Sequence, residues 1–230
     1  MDNMIYHSAV PEATQATYVE FNNVDFVLNV GEGRSLLRNS VRLCGEVEVT
    51  SDGTTRSDSR VFMDPAIGIH ATVSSVQTKG FNKTYDGRDG TIYEDDYNNA
   101  SNQVELRAVN QISAGKLAKG EVTVNTGTKL TTDCDFAMKP VCILNRMSGD
   151  HLPFEKSGEI RLTFNLARNM SALMGPNQGS GAKYFLKNLH VSYQSVPTMG
   201  DPMSKQVSMR SVYNIKSTIQ SGSANISAQV

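Results

Sequence analysis

Residues 159–169 read EIRLTFNLARN, and residues 182–197 read AKYFLKNLHVSYQSVP. In the first stretch Ile160, Leu162, Phe164 and Leu166 alternate with Glu159, Arg161, Thr163 and Asn165. A strand turns successive side chains to opposite faces, so this pattern gives one apolar face and one wet face. In the second stretch Leu189, Val191 and Tyr193 repeat the alternation against Asn188, His190 and Ser192. Both belong to a longer run, Asp135 to Val196, which opens with DFAMKPVCILN and turns through RMSGDHLPFEKSG. That run predicts antiparallel sheet.

Working outward, the chain upstream offers more of the same element. A first strand is predicted in TYVEFNNVDFVLNV, where Val24, Phe26, Leu28 and Val30 share a face. Val19 and Phe21 fall on the opposite parity, which places a bulge near Asn22 and Asn23. GEGRSLLRNS reads as a turn, and SVRLCGEVEVTSDG as a second strand with Val41, Leu43, Val47 and Val49 inward and Arg42, Glu46 and Glu48 outward. Ile67, Ile69, Ala71 and Val73 alternate with Gly68, His70 and Thr72 as a further strand. The segment from Phe81 to Tyr97 is a polar excursion, and Tyr97, Ala100, Val104 and Ala108 beyond it have helical spacing. GEVTVNTG is a short strand, and TKLTTDCDF leads into the central run.

Seven or eight strands, one short helix and no βαβ rhythm predict an all-β fold, an antiparallel eight-stranded jelly-roll sandwich with the helix in a long inter-strand loop. The expected divisions are an N-terminal arm over residues 1–17, a jelly-roll domain over 18–198, and a C-terminal arm or start of a further β element over 199–230. In that tail Val212, Ile215, Ile219 and Ile226 are too sparse to form a core alone.

Composition narrows the function. The 230 residues carry a net charge of -1, with 39% hydrophobic and 20% charged residues, which suits a globular core and gives no basic surface for nucleic acid. No apolar run approaches the roughly 20 residues of a membrane span, and MDNMIYHSAV does not read as a signal peptide. Cys44, Cys134 and Cys142 are odd in number and lack CxxC spacing, so they read as reduced, packed thiols. His7, His70, His151 and His190 are scattered without metal-ligand spacing, no GxSxG elbow presents a nucleophile, and GPNQGSGAK lacks the phosphate-cradling GxxxxGK[ST] order. The acidic run offers Asp86, Asp89, Glu94, Asp95 and Asp96 to calcium, but Tyr85 and Gly87 break the EF-hand pattern, and a solvated loop entering a helix is the preferred account. The sequons at Asn82, Asn99, Asn169 and Asn225 read as chance occurrences in an Asn- and Ser-rich chain. No catalytic, cofactor-binding or metal-ligating residues are assigned.

Three stretches together resemble the N-terminal barrel of double jelly-roll major capsid proteins of viruses, or a single jelly-roll capsid or penton protein. GRSLLRNSVRLCGEVEVT resembles the family's early turn and second strand, and IGIHATVSSVQTK the next strand, before a loop and helix like YEDDYNNASNQVELR. CILNRMSGDHLPFEKSGEIRLTFNLA followed by KYFLKNLHVSYQSVP resembles the closing strands of that barrel. The resemblance spans Thr17 to Pro197. It implies a non-enzymatic structural capsid protein, made in the host cytoplasm and found in the virion, whose self-assembling subunits form trimers or pentamers of an icosahedral shell. Its further partners would be other capsid or minor virion proteins and an inner membrane, without sequence-specific nucleic acid. The competing expectation is a carbohydrate- or ligand-binding β-sandwich, which would want exposed aromatics on a concave face, whereas Trp is absent and aromatics are 7%.

Overall fold

The computed structural model describes residues 3–51, 59–63, 68–80, 83–86, 122–124, 130–174 and 182–200. One sheet is built on the last described strand, β13 (Lys183–Pro197), which pairs antiparallel along one side with β4 (Arg42–Ser51) and then β3 (Arg34–Leu37). Outside these lie β9 (Leu130–Met138) against β4 and β10 (His151–Pro153) against β3, while β1 (Ile5–Ala9) lies on the other side of β13. The second sheet runs β2 (Asn23–Leu28), β11 (Ile160–Leu166), β6 (Val73–Gly80) and β7 (Lys83–Asp86). A small third sheet joins β5 (Ser59–Met63) to β8 (Val122–Val124) and β12 (Leu173–Met174). Every pairing among the described residues is antiparallel. The all-β antiparallel sandwich read from the alternation is the fold.

The alternation works because it fills one core from two sheets. Val24, Phe26, Leu28, Ile160, Leu162 and Phe164 meet Val47, Val49, Tyr184, Leu186 and Val191 in a single buried cluster. Phe26 and Phe164 contact edge to face, with centroids 5.7 Å apart and planes at 89°, an arrangement aromatic quadrupoles favour. Two tyrosines tie the sheets together. The Tyr193 hydroxyl donates to Asn29 O at 3.0 Å and accepts from Asn29 N at 3.1 Å. The Tyr184 hydroxyl donates to the carbonyls of Ala167 and Thr72. Burial, reinforced by the charge of Glu20, pushes the Tyr184 hydroxyl far above the usual tyrosine range, so it stays a donor.

The inward face of β13 changes parity partway along. Tyr184 and Leu186 are buried, and so are Leu189, Val191, Tyr193 and Ser195. Between Lys187 and His190 the register shifts, and Asn188 takes a left-handed φ of 51°. Asn188 and Leu189 thus face one residue of β4, Gly45, in a β-bulge. A Cβ on Gly45 would lie 2.7 Å from Lys187 O and 2.9 Å from Leu189 Cδ2, so only glycine fits opposite the bulge.

Several local expectations are corrected. GEGRSLLRNS holds a strand, β3, because Arg34–Leu37 finds edges on both sides. The stretch around Gly68, Ile69 and His70 is a 3₁₀ turn (Gly68–Thr72) with both Ile69 and His70 buried, since Gly68 at φ 59° breaks the extended chain. Asn22 marks a turn rather than a bulge: Asn22 N donates to Val19 O and Val19 N to Asn22 Oδ1. Thirteen strands among the described residues exceed the expected eight, because short edge pieces such as β1, β10 and β12 join the long strands. The described helices are single turns: α1 (Ile143–Arg146), α2 (Phe154–Ser157) and α3 (Asn169–Ala172). The expected helix over 97–108, the acidic run beyond Asp86, the glycine loop 175–181 and the tail beyond Gly200 lie outside the described residues.

Candidate assembly edge

The four histidines do not converge, and among the described residues no group of three His, Cys, Asp or Glu side chains could hold a metal. Cys44 is half-buried with Sγ 3.6 Å from Ser192 Oγ, and Cys142 is buried in the core. Of the sequons, Asn169 spends its side-chain oxygen on Tyr184 N at 3.0 Å; those at 82, 99 and 225 lie outside the described residues. Chemistry is therefore concentrated elsewhere, along the side of the sandwich where β13 and β2 would otherwise show open edges.

Asn3–Tyr18 closes that side as a strap, made of the expected N-terminal arm, 1–17, and the first residue expected in the jelly-roll domain. The strap can order without a core of its own because backbone pairing does the holding. Ile5↔Ser195, His7↔Tyr193 and Ala9↔Val191 are in register on β13. Further along, Glu12 N donates to Asp25 O on β2, and the Glu12 carboxylate meets Arg161 at 2.9 Å. The strap then crosses back: Tyr18 and Leu186 exchange both backbone bonds at 2.8 and 2.9 Å. Pro11 and Tyr18 are its buried anchors, and the Tyr18 hydroxyl donates to Ala13 O.

Near its start the strap is fastened by a polar cluster. His7 stacks on Tyr193 at 4.9 Å and 9°, and His7 Nε2 lies 2.7 Å from Ser195 Oγ. Arg34 donates through Nε to the same hydroxyl at 2.8 Å and through its terminal nitrogen to Asn3 O at 2.7 Å. Arg34 and His7 thus share the Ser195 hydroxyl, Arg34 as a donor to it. Burial, with the Arg34 charge added, holds the His7 pKa below the ordinary histidine value. Burial likewise raises the Tyr193 hydroxyl, against the opposing bond to Asn29.

The strap's outer face is apolar and wet. Met4, Tyr6 and Val10 project from it, Tyr6 being 71% exposed. Ile5–Ala9 contains no proline and no Lys, Arg, Asp or Glu to protect this edge, the devices by which edge strands usually avoid pairing. A second exposed group lies at the turn into β2: Phe21 is 63% exposed beneath the Arg168 guanidinium, 5.4 Å from the ring centroid, with exposed Met170 on α3 two residues beyond Arg168. Residues 5–9 carried no clean strand signal, because Ile5 and Tyr6 are adjacent and His7 breaks the apolar parity. The Arg34–Ser195–His7 cluster had no signal, because its members are 161 and 188 residues apart along the chain.

No protein family's sequence pattern matches the chain, and no curated protein matches it. Solved structures do. A chain of the Sputnik virophage structure at 3.5 Å matches 87% of this chain with a TM-score of 0.53 at 11% identity. VP54 of PBCV-1, fitted into a reconstruction of the Sputnik virophage, matches 86% at a TM-score of 0.49 and 13% identity, and a chain of the PBCV-1 capsid model matches 85% at 0.48 and 14%. The chain spans about half the length of these structures, 43% to 49% of each. In fold, the chain resembles the viral jelly-roll capsid proteins.

Proposed function

We propose that the protein is a structural capsid protein, a self-assembling jelly-roll subunit of an icosahedral virus shell, acting in the virion after synthesis in the host cytoplasm. The observation that carries this reading is the likeness of its two-sheet barrel to the virophage chain. The reading also gives a use to the unprotected strap edge, since edges and termini are where subunits of such a shell would meet. Its partners are copies of itself, other capsid or minor proteins, and an inner membrane; no described helix is long and apolar enough to cross one. The tail after Gly200 is assigned to assembly as a second arm.

Size-exclusion chromatography with light scattering tests the proposal. A stable trimer, pentamer or particle is expected, and removal of residues 206–230 should weaken assembly while leaving the melting temperature unchanged. A monomer at every concentration that binds a glycan array would overturn it in favour of a carbohydrate-binding sandwich.

A further inference from the structure

Four described residues other than glycine have a positive φ, and three of them are asparagine, which tolerates that conformation. The fourth is Phe21, at φ 64°. For a bulky side chain the left-handed region is costly, and little ring burial compensates, since the ring stands mostly in solvent. Phe21 sits within the turn Val19–Asn22, the connection between the strap and β2. Turning back there is what lets the strap lie on its own barrel.

Everything that seats the strap is made between it and the rest of the barrel: the pairing of Ile5–Ala9 with β13, Glu12 on β2, Tyr18 on Leu186, and the His7–Ser195–Arg34 cluster. A strap from a second copy would make the same contacts. Straightening the turn gives up Asn22 N to Val19 O and Val19 N to Asn22 Oδ1, together with Phe21 N to Leu166 O at 3.3 Å and the Arg168 contact over the ring, and against these it releases the strain at Phe21. Short strained hinges favour such exchange.

We propose that the strap Asn3–Tyr18 is exchanged between copies of the chain, each copy seating its strap on a neighbour's β13 and β2, with Val19–Asn22 as the hinge. The occupant of the seat is a second copy of this chain, and the exchange rests, for its role, on the reading of the protein as an assembling subunit.

Tyr6 and Gln194 are register partners on β1 and β13, so Tyr6→Cys with Gln194→Cys reports where the strap lies. The full chain is incubated over a range of concentrations, oxidised, and run without reductant beside each single substitution, which controls for Cys44, Cys134 and Cys142, and the linked peptides are identified by mass spectrometry. The expected result is an interchain 6–194 disulfide whose share rises with concentration. Phe21→Gly removes the cost of the turn and should lower the ratio of interchain to intrachain product roughly tenfold, the factor that corresponds to the ~1.4 kcal/mol typical of a left-handed residue. Phe21→Pro cannot adopt a positive φ and should raise the ratio; if that variant does not fold, the glycine variant decides alone. Intrachain disulfide at every concentration, or an interchain share indifferent to Phe21→Gly, overturns the exchange. Light scattering on the same samples separates the two ideas: oligomers carrying only intrachain disulfides sink the exchange and spare assembly, and monomers carrying only intrachain disulfides sink both.

Discussion

At the scale of single residues, two positions carry tests with a definite sign. Gly45 faces the Lys187 carbonyl, and a methyl group there must push backbone aside, because Lys187 O is held in the sheet. Gly45→Ala should cost about 1–3 kcal/mol, the usual range for overpacking, and a denaturant titration would show it as a lowered midpoint. An unchanged midpoint would mean that the bulge relaxes freely. His70 is 2% exposed, and burial lowers its pKa to about 4 from 6.5. Above pH 6.5 it is neutral in both folded and unfolded chains and contributes nothing pH-dependent. As pH falls from 6.5 towards 4 the unfolded chain takes up the proton first, so stability drops across that window and levels off below it. By pH 5 the loss should reach about 2 kcal/mol from this residue, seen as a falling urea midpoint between pH 7.5 and 5.0. His70→Gln should flatten that fall; a variant with the wild-type slope would place the titration elsewhere.

At the scale of elements, β11 illustrates what the sequence made legible. Its period-two pattern, Ile160 to Leu166, reads directly as a half-buried strand, and each of its four apolar residues is buried. Phe164→Ala should therefore cost about 3–5 kcal/mol by opening a cavity against Phe26; a loss below 1 kcal/mol in chemical denaturation would contradict the shared core. Elements organised by something other than period were harder to read. The arm-like segment 1–17 scatters its apolar residues without a period-two pattern, yet β1 forms because the open edge of β13 supplies the hydrogen bonds. Arg34–Leu37 looks like a turn between glycines and becomes a strand because β10 and β13 flank it. In the 3₁₀ turn, the alternation around Ile69 mimics a strand until Gly68 takes a positive φ. In each case the deciding partner lies more than a hundred residues away or in a backbone angle, and neither is written in local composition. The candidate edge was foreseen only as a terminus; its residues emerged from the pairing.

At the scale of the whole molecule, surface and core should answer independently. Tyr6→Lys places a charge on the exposed face of the strap, where substitutions ordinarily change stability by less than about 0.5 kcal/mol. The expected outcome is an unaltered melting curve with impaired association in light scattering, because a lysine on an edge discourages pairing; normal association would move the contact surface off this edge. The bulge in β13 has a consequence for the molecule as a whole. A long strand of regular alternation is translationally degenerate: sliding it by two residues restores the same faces, and nothing in the pattern distinguishes one alignment from the next. In this chain the 15-residue β13 carries its irregularity at Asn188, and β4 carries the one matching vacancy at Gly45. Slide the strands by two and the protruding backbone of Lys187 meets a valine or a leucine, since the residues two away from Gly45 are Val47 and Leu43. The pair works as a key and ward, admitting a single alignment of the central strand and so fixing the relative heights of β1, β3 and β4, all of which are hung from it.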